Sequence, residues 1–201
     1  MEKIAPTQYP IHSLIARRWS ARAFDPHRPI SAATLGALFE AARWAPSDAN
    51  EQPWRFIVGI NFDECHRQIL SVLNEGNRQF CGNAPVLLIA VAKLNFTGGD
   101  QKPNLHALHD LGMALENLFL QAVDLGLHAH FLAAFSPEKA RQLFQIPEGF
   151  QPVTAGALAY PGELSGLPEE LQKKELVQKP RRPFDEFVFT GAWGNPLSSL
   201  G

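Results

Sequence analysis

Apolar residues recur at helical spacing over several stretches of this chain and alternate or run together over others. Proline, asparagine and aspartate punctuate the gaps. Ile11, Leu14, Ile15 and Arg18 share one face of a short predicted helix. Ser31 reads as the N-cap of a second helix that turns Leu35, Leu38, Phe39 and Ala42 inward. That helix must end before Pro46, because a proline pushes the preceding residue out of the helical region. Trp54–Ile60 reads as a strand. Asp63 is placed to cap a third helix carrying His66, Ile69, Leu70 and Leu73 on one side. Residues 85–92 form a nearly unbroken apolar run, the pattern of a strand covered on both faces. The longest pattern spans 104–125: Leu105, Leu108, Leu111, Leu115, Leu118, Phe119, Ala122 and Leu125 recur in threes and fours. Gly126 follows as a predicted C-terminal cap. A stripe of that length belongs at the centre of the core or in a subunit interface.

A short strand is predicted over His128–Leu132 and a helix start at Ser136-Pro137, where a cap precedes a proline. Another strand is predicted over 153–159. Residues 161–183 turn polar and show little apolar period. Phe184, Phe187, Val188 and Phe189 then read as an alternating strand, and a partner subunit is one surface it could lie on. Strands separated by helices give an α+β or three-layer architecture with helix in excess.

The chain has 201 residues, 45% of them hydrophobic, which suits one domain over 1–201 with a substantial core. Its formal net charge of −2 argues against nucleic acid as a partner, since binding a phosphate backbone needs a broad basic surface. No apolar run reaches membrane-spanning length and the first residues lack a signal-peptide core, so a cytoplasmic location is expected. Cys65 and Cys81 make no disulfide framework and read as reduced packing residues.

The dinucleotide fingerprint, the P-loop and the nucleophile elbow are all absent. His106, His109, His128 and His130 have weak metal-ligand spacing, with no cysteine or carboxylate at a recognised interval. No serine or cysteine has the surroundings of an activated nucleophile. What remains is a set of basic and amide-bearing clusters. Arg17, Arg18, Ser20 and Arg22 place three guanidinium groups and a hydroxyl within six residues, a donor set suited to phosphate. Lys179-Pro180-Arg181-Arg182-Pro183 adds a second basic run near the other end. Read alone it is a solvated loop; with the first, it could close on one dianionic phosphate. Ser47, Asn50 and Gln52 follow a helix stop and offer hydroxyl and amide groups suited to a heteroaromatic edge.

These segments resemble the FMN-dependent nitroreductase family from about residue 11 to 189. The resemblance rests on motifs in order: Arg17 to Arg22; Ala41 to Ser47 with Asn50 and Gln52-Pro53-Trp54; and Asn83-Ala84-Pro85. Asp110-Leu111-Gly112, Glu116-Asn117-Leu118, Leu125-Gly126-Leu127, Phe135 to Glu138 and Lys179 to Pro183 complete the series.

The resemblance implies a three-layer α/β/α sandwich with a central, mostly antiparallel sheet, an interface-forming long helix and an extended C-terminal arm. It implies a homodimer with FMN at the seam. Arg17, Arg18 and Ser20, with Arg22 beside them, match positions that hold the FMN phosphate and ribityl chain. Lys179 and Arg181 match the basic pair that completes the clamp. Pro46, Ser47 and Asn50, with Gln52, match a loop reaching the flavin of the other subunit. Leu132, Ala133 and Ala134 match the segment whose backbone passes the flavin ring. Ala134 stands where the pattern usually has glycine, and its methyl group bears on substrate preference. Trp19 is a second departure and reads as a core residue. The implied reaction is ping-pong: NAD(P)H gives a hydride to the flavin, then a nitroaromatic, quinone or similar acceptor takes it. Dehalogenation, azo reduction or dehydrogenation on the same scaffold, and flavin binding without catalysis, are the alternatives.

Overall fold

In a computed structural model the chain is described over residues 3–98 and 102–200. Four strands, β1 (Trp54–Ile60), β2 (Val86–Lys93), β3 (His128–Leu132) and β4 (Phe150–Ala159), form one sheet in the order β1-β2-β4-β3, antiparallel throughout. β4 begins three residues before the sequence pattern predicts. Its early part pairs only with β2, and the register slips between Ala90 and Val91 opposite Pro152, which has no N–H to give to a ladder.

The described residues form seven helices around the sheet: α1 (Ser13–Arg17), α2 (Ala32–Arg43), α3 (Glu64–Val72), α4 (Glu75–Cys81), α5 (Ala107–Asp124), α6 (Pro137–Leu143) and α7 (Glu169–Leu176). Side chains alternate across β2 to make two cores. Val86, Leu88, Ala90 and Ala92 meet Leu38 and Ala42 of α2 and Leu111, Ala114, Leu118 and Ala122 of α5. Leu87, Ile89 and Val91 meet Ile69 and Val72 of α3, Ala140 of α6 and Leu171 of α7. This is a helix–sheet–helix sandwich. Each fully buried leucine contributes roughly 1.5–3 kcal/mol of apolar burial. The close approach of α3 to β1 requires Gly59, where a Cβ would fall 2.2 Å from the His66 nitrogen.

Ser31, Asp63 and Ser136 accept hydrogen bonds from the first-turn amides of Thr34, His66 and Lys139, as N-caps do. Gly126 ends α5 with φ +72°. The long helix starts at Ala107 rather than 104, because Asn104 Oδ1 takes the His106 N–H and closes a turn ahead of it. Leu105 therefore leaves the core stripe, 89% exposed, and Leu108 in the first turn is exposed as well. Two helices escaped the sequence pattern. α4 is one short segment capped by Asn74. α7 lies within the polar stretch and buries Leu171 and Glu175.

The strand predicted over 184–189 does not form. Phe184–Glu186 is a 3-10 turn, and the tail folds back on itself, with Leu197 N–H donating to Val188 O and Thr190 N–H to Asn195 O. A strand needs a neighbour for its backbone groups, and within one chain this tail meets mainly itself. Its aromatic side chains pair instead, Phe184 with Phe187 and Phe189 with Trp193, leaving Trp193 93% exposed.

Candidate cofactor site

β3 is an edge strand, and residues 20–23 lie along it. Ser20 bridges to Ala129. The His130 Nδ1–H donates to Ala21 O at 2.8 Å and the His128 Nδ1–H to Ala23 O at 3.3 Å. Burial pushes the His130 pKa down to about 4 and lowers that of His128, so both rings are neutral near pH 7. The two histidines thus fasten a loop to the sheet. Cys81 is buried and Cys65 half-buried, and burial raises both thiol pKa values, consistent with packing roles.

The same loop is gripped from α7. The Glu175 carboxylate, 1% exposed, accepts from the backbone N–H of Arg22 at 2.7 Å and of Ala23 at 3.1 Å, and pairs with the Arg22 guanidinium at 3.3 Å. Lys3 donates to the carbonyls of Glu175 and Val177. The chain beyond α7 is thereby laid against residues 18–22. Between them opens a cavity of about 450 Å³ bordered by Arg18, Ser20 and Arg22 on one side and Lys174, Lys179 and Arg181 on the other, with Ile4, Ile11, Ile15 and Val177 as apolar wall. Ile11 and Ile15 face this opening instead of a core.

The cavity carries uncompensated positive charge. Arg22 has Glu175, and Arg18 has a loose pairing with Glu116 at 3.7 Å. Lys174, Lys179 and Arg181 have no carboxylate partner among the described residues. A hydroxyl and several cations around one hole fit a phosphate. Arg17 is not part of this group. It borders a separate hollow of about 300 Å³ with Phe119, Val123, His128 and Pro161. Trp19 stands between the two hollows with Lys3 4.4 Å from its ring centroid, half-buried, a partition wall rather than a core residue.

At the far end of β3, Leu132 is buried, its carbonyl held by Thr154 Oγ1 at 2.8 Å, while Ala133 and Ala134 are exposed. The Ala134 carbonyl accepts from Asn74 N–H and from Asn77 Nδ2, and its own N–H has no acceptor among the described residues. α4 links this end to the cationic cavity: Phe80, one turn beyond Asn77, lies 5.7 Å from the Arg22 guanidinium. Sequence patterning missed Asn74 and Asn77 because the helix holding them is so short. The Asn-x-x-Asn capping pair was the available signal.

The second group of predicted residues lies elsewhere. Pro46 and Asn50 are exposed in the loop that feeds β1, Ser47 Oγ accepts the Gln52 N–H at 2.9 Å, and Gln52 Nε2 reaches Asn50 O. Ala49, Asn50 and Gln52 have φ of 49°, 56° and 52°, the left-handed region that costs a non-glycine residue about 1–2 kcal/mol. Gln52 borders an open hollow with Phe39, Trp54, Arg55 and Phe56. None of these loop residues lines the cationic cavity. β1 and β3 are opposite edges of the sheet, three strand spacings or roughly 14 Å apart.

The sequence matches the Nitroreductase family model over residues 15–64 and 61–160. The chain belongs to that family. It is 30% identical over 152 residues to a protein of Archaeoglobus fulgidus named "Putative NADH dehydrogenase/NAD(P)H nitroreductase", covering 74% of this chain and 83% of that one. It is 29% identical over 151 residues to an uncharacterized 15.4 kDa protein of Mycolicibacterium smegmatis, covering 71% of this chain and 99% of that one. A crystal structure described as an oxidoreductase containing FMN superposes with a TM-score of 0.90 at 33% identity, covering 95% of this chain and 96% of the other. The nitroreductase fold and NAD(P)H-dependent oxidoreductase class follow from the family. Among the described residues no helix is long and apolar enough to cross a membrane.

Proposed function

We propose that this chain is an FMN-dependent oxidoreductase that takes reducing equivalents from NAD(P)H and passes them to a nitroaromatic, quinone or similar electron-poor small molecule. The observation that carries the reading is the cavity where Arg18, Ser20 and Arg22 meet Lys179 and Arg181 with charge to spare. These five residues hold the phosphate, whose charge-assisted hydrogen bonds are the strong ones. The aliphatic wall suits the ribityl carbons. Ala134 offers its free N–H toward the ring at the other end of α4, where Asn74 and Asn77 hold the carbonyl of the same residue. The chemistry that FMN supplies there is two-electron hydride exchange at the ring. The protein binds, orients and shields; a fixed N–H dipole favours negative charge developing on the ring.

The chain acts as one domain over 1–201, works in the cytoplasm and functions as a homodimer. Dimerisation is supported by three features: the loop of Pro46, Ser47, Asn50 and Gln52 lies on the opposite sheet edge from the clamp, the outer edge of β1 has no strand beside it among the described residues, and Leu105, Leu108, Phe187 and Trp193 are exposed. In a dimer the loop of one protomer completes the ring end of the other's site. The test is the visible spectrum of the purified protein followed by anaerobic titration with NADH and NADPH. Yellow protein bleached by a nicotinamide and restored by a nitroaromatic or quinone is expected. A colourless protein that takes up no added FMN would overturn the reading.

A further inference from the structure

The loop over residues 47–52 is more heavily anchored than a surface turn needs to be. Three non-glycine residues in four hold positive φ, so the backbone does not keep this shape by its own preference. The fastening comes from outside. The Asp110 carboxylate, 2% exposed on the first turn of α5, accepts the Asp48 N–H at 3.0 Å through Oδ2, while its Oδ1 meets His109 Nδ1 at 3.1 Å. On the other flank Glu51 accepts from Lys93 at 2.8 Å and from Thr97; those hydrogen bonds, Lys93 first, hold its pKa down at about 2. Within the loop, Ser47 Oγ takes the Gln52 N–H.

A buried carboxylate is costly unless its oxygens are used, and Asp110 uses one of them on a backbone group 62 positions away. We infer that Asp110 is a positioning residue: it locks the 47–52 loop in its left-handed shape, and through that shape sets how the loop meets FMN. The inference rests on the proposed flavin site and on the loop's place in a dimer. It assigns no contact between Asp110 and the cofactor.

The Asp48 N–H can be removed without touching Asp110. Asp48 is the first residue of a 3-10 turn, and Ser47 before it is extended, φ −149° and ψ 156°. Proline fits such a position. The experiment compares wild type, Asp110→Ala, Asp110→Asn, Asp48→Pro and the double variant Asp110→Ala/Asp48→Pro as full-length protein. Two quantities are read: FMN affinity by fluorescence titration, and deuterium exchange of the 47–52 amides without FMN. Asp110→Ala and Asp48→Pro are each expected to weaken FMN binding about tenfold and to speed exchange. The double variant should be no worse than the weaker single one, because both remove the same bond. Asp110→Asn keeps an acceptor oxygen and should recover most of the affinity. FMN affinity within twofold of wild type in both single variants, or a product of their effects in the double, overturns the inference. So does weaker binding with exchange unchanged. Should Asp110→Ala fail to fold, Asp48→Pro decides alone. Should wild type take up no FMN, the functional reading falls with the cofactor arm, and unchanged exchange in both variants would also refute the anchoring.

Discussion

Two buried carboxylates, Glu175 and Asp110, do the same mechanical job at opposite edges of the sheet, and the contrast between them is instructive. Each reaches across from a helix and accepts backbone N–H groups of a loop that carries candidate binding residues. Glu175 grips the cationic loop of the clamp and has a counterion in it, the Arg22 guanidinium at 3.3 Å. Asp110 grips a loop without cations, and its other oxygen meets the exposed His109 ring. The first anchor is electrostatic and joins the two ends of the chain. The second is directional, holding one strained turn in shape.

The largest expected effect is at the clamp. Glu175→Ala strands the buried Ala23 N–H and the part-buried Arg22 N–H and unpairs the Arg22 guanidinium, and should cost about 3–5 kcal/mol of stability in a urea titration. If the loss is no greater than for Asp110→Ala, the contrast fails. Acid tests the same loop next. His130 titrates at about 4 when folded against a reference of 6.5, so the unfolded chain binds the extra proton between those values. Stability from this group is complete above pH 6.5 and drains away toward pH 4, by at most about 3 kcal/mol. Thermal midpoints across that window check the slope, and His130→Gln, which keeps a donor for Ala21 O, should flatten it. The smallest effects separate the arginines. Arg181→Ala removes a charge-assisted contact and should weaken FMN retention by roughly 1.5–3 kcal/mol with the apoprotein's urea midpoint unmoved. Arg17→Ala should change FMN affinity less than twofold, since Arg17 borders a different hollow. Equal losses would put both arginines in the clamp.

Much of this arrangement is legible in the sequence because it is written in periodic or charged residues. β1 and β3 have the predicted bounds, and the two basic runs that meet at the cavity stand out by composition alone. Arg17 could not be told from Arg18 by position in a run; which of two adjacent arginines turns inward depends on where α1 ends. The anchoring roles of Asp110 and Glu175 were hidden for a different reason, although Asp110 stands in one of the motifs of the resemblance. Asp110 sits among leucines on a helix, where a carboxylate reads as the solvated face, and its value depends on a loop 62 positions distant. Glu175 lies in a stretch too polar to show a period, although the helix there has acids in its first turn and lysines near its end, a dipole pattern that composition alone conceals. The tail failed as a strand because alternation says which faces differ, not whether a neighbour is present.

The tail's bareness has a practical side. Trp193 is almost wholly in water while Trp54 is enclosed, so the indole at the chain's end is a built-in optical reporter of whatever comes to cover it. With Trp19 and Trp44 replaced by phenylalanine, the enclosed Trp54 gives a constant background and the shift in emission colour tracks Trp193 across a dilution series without any label.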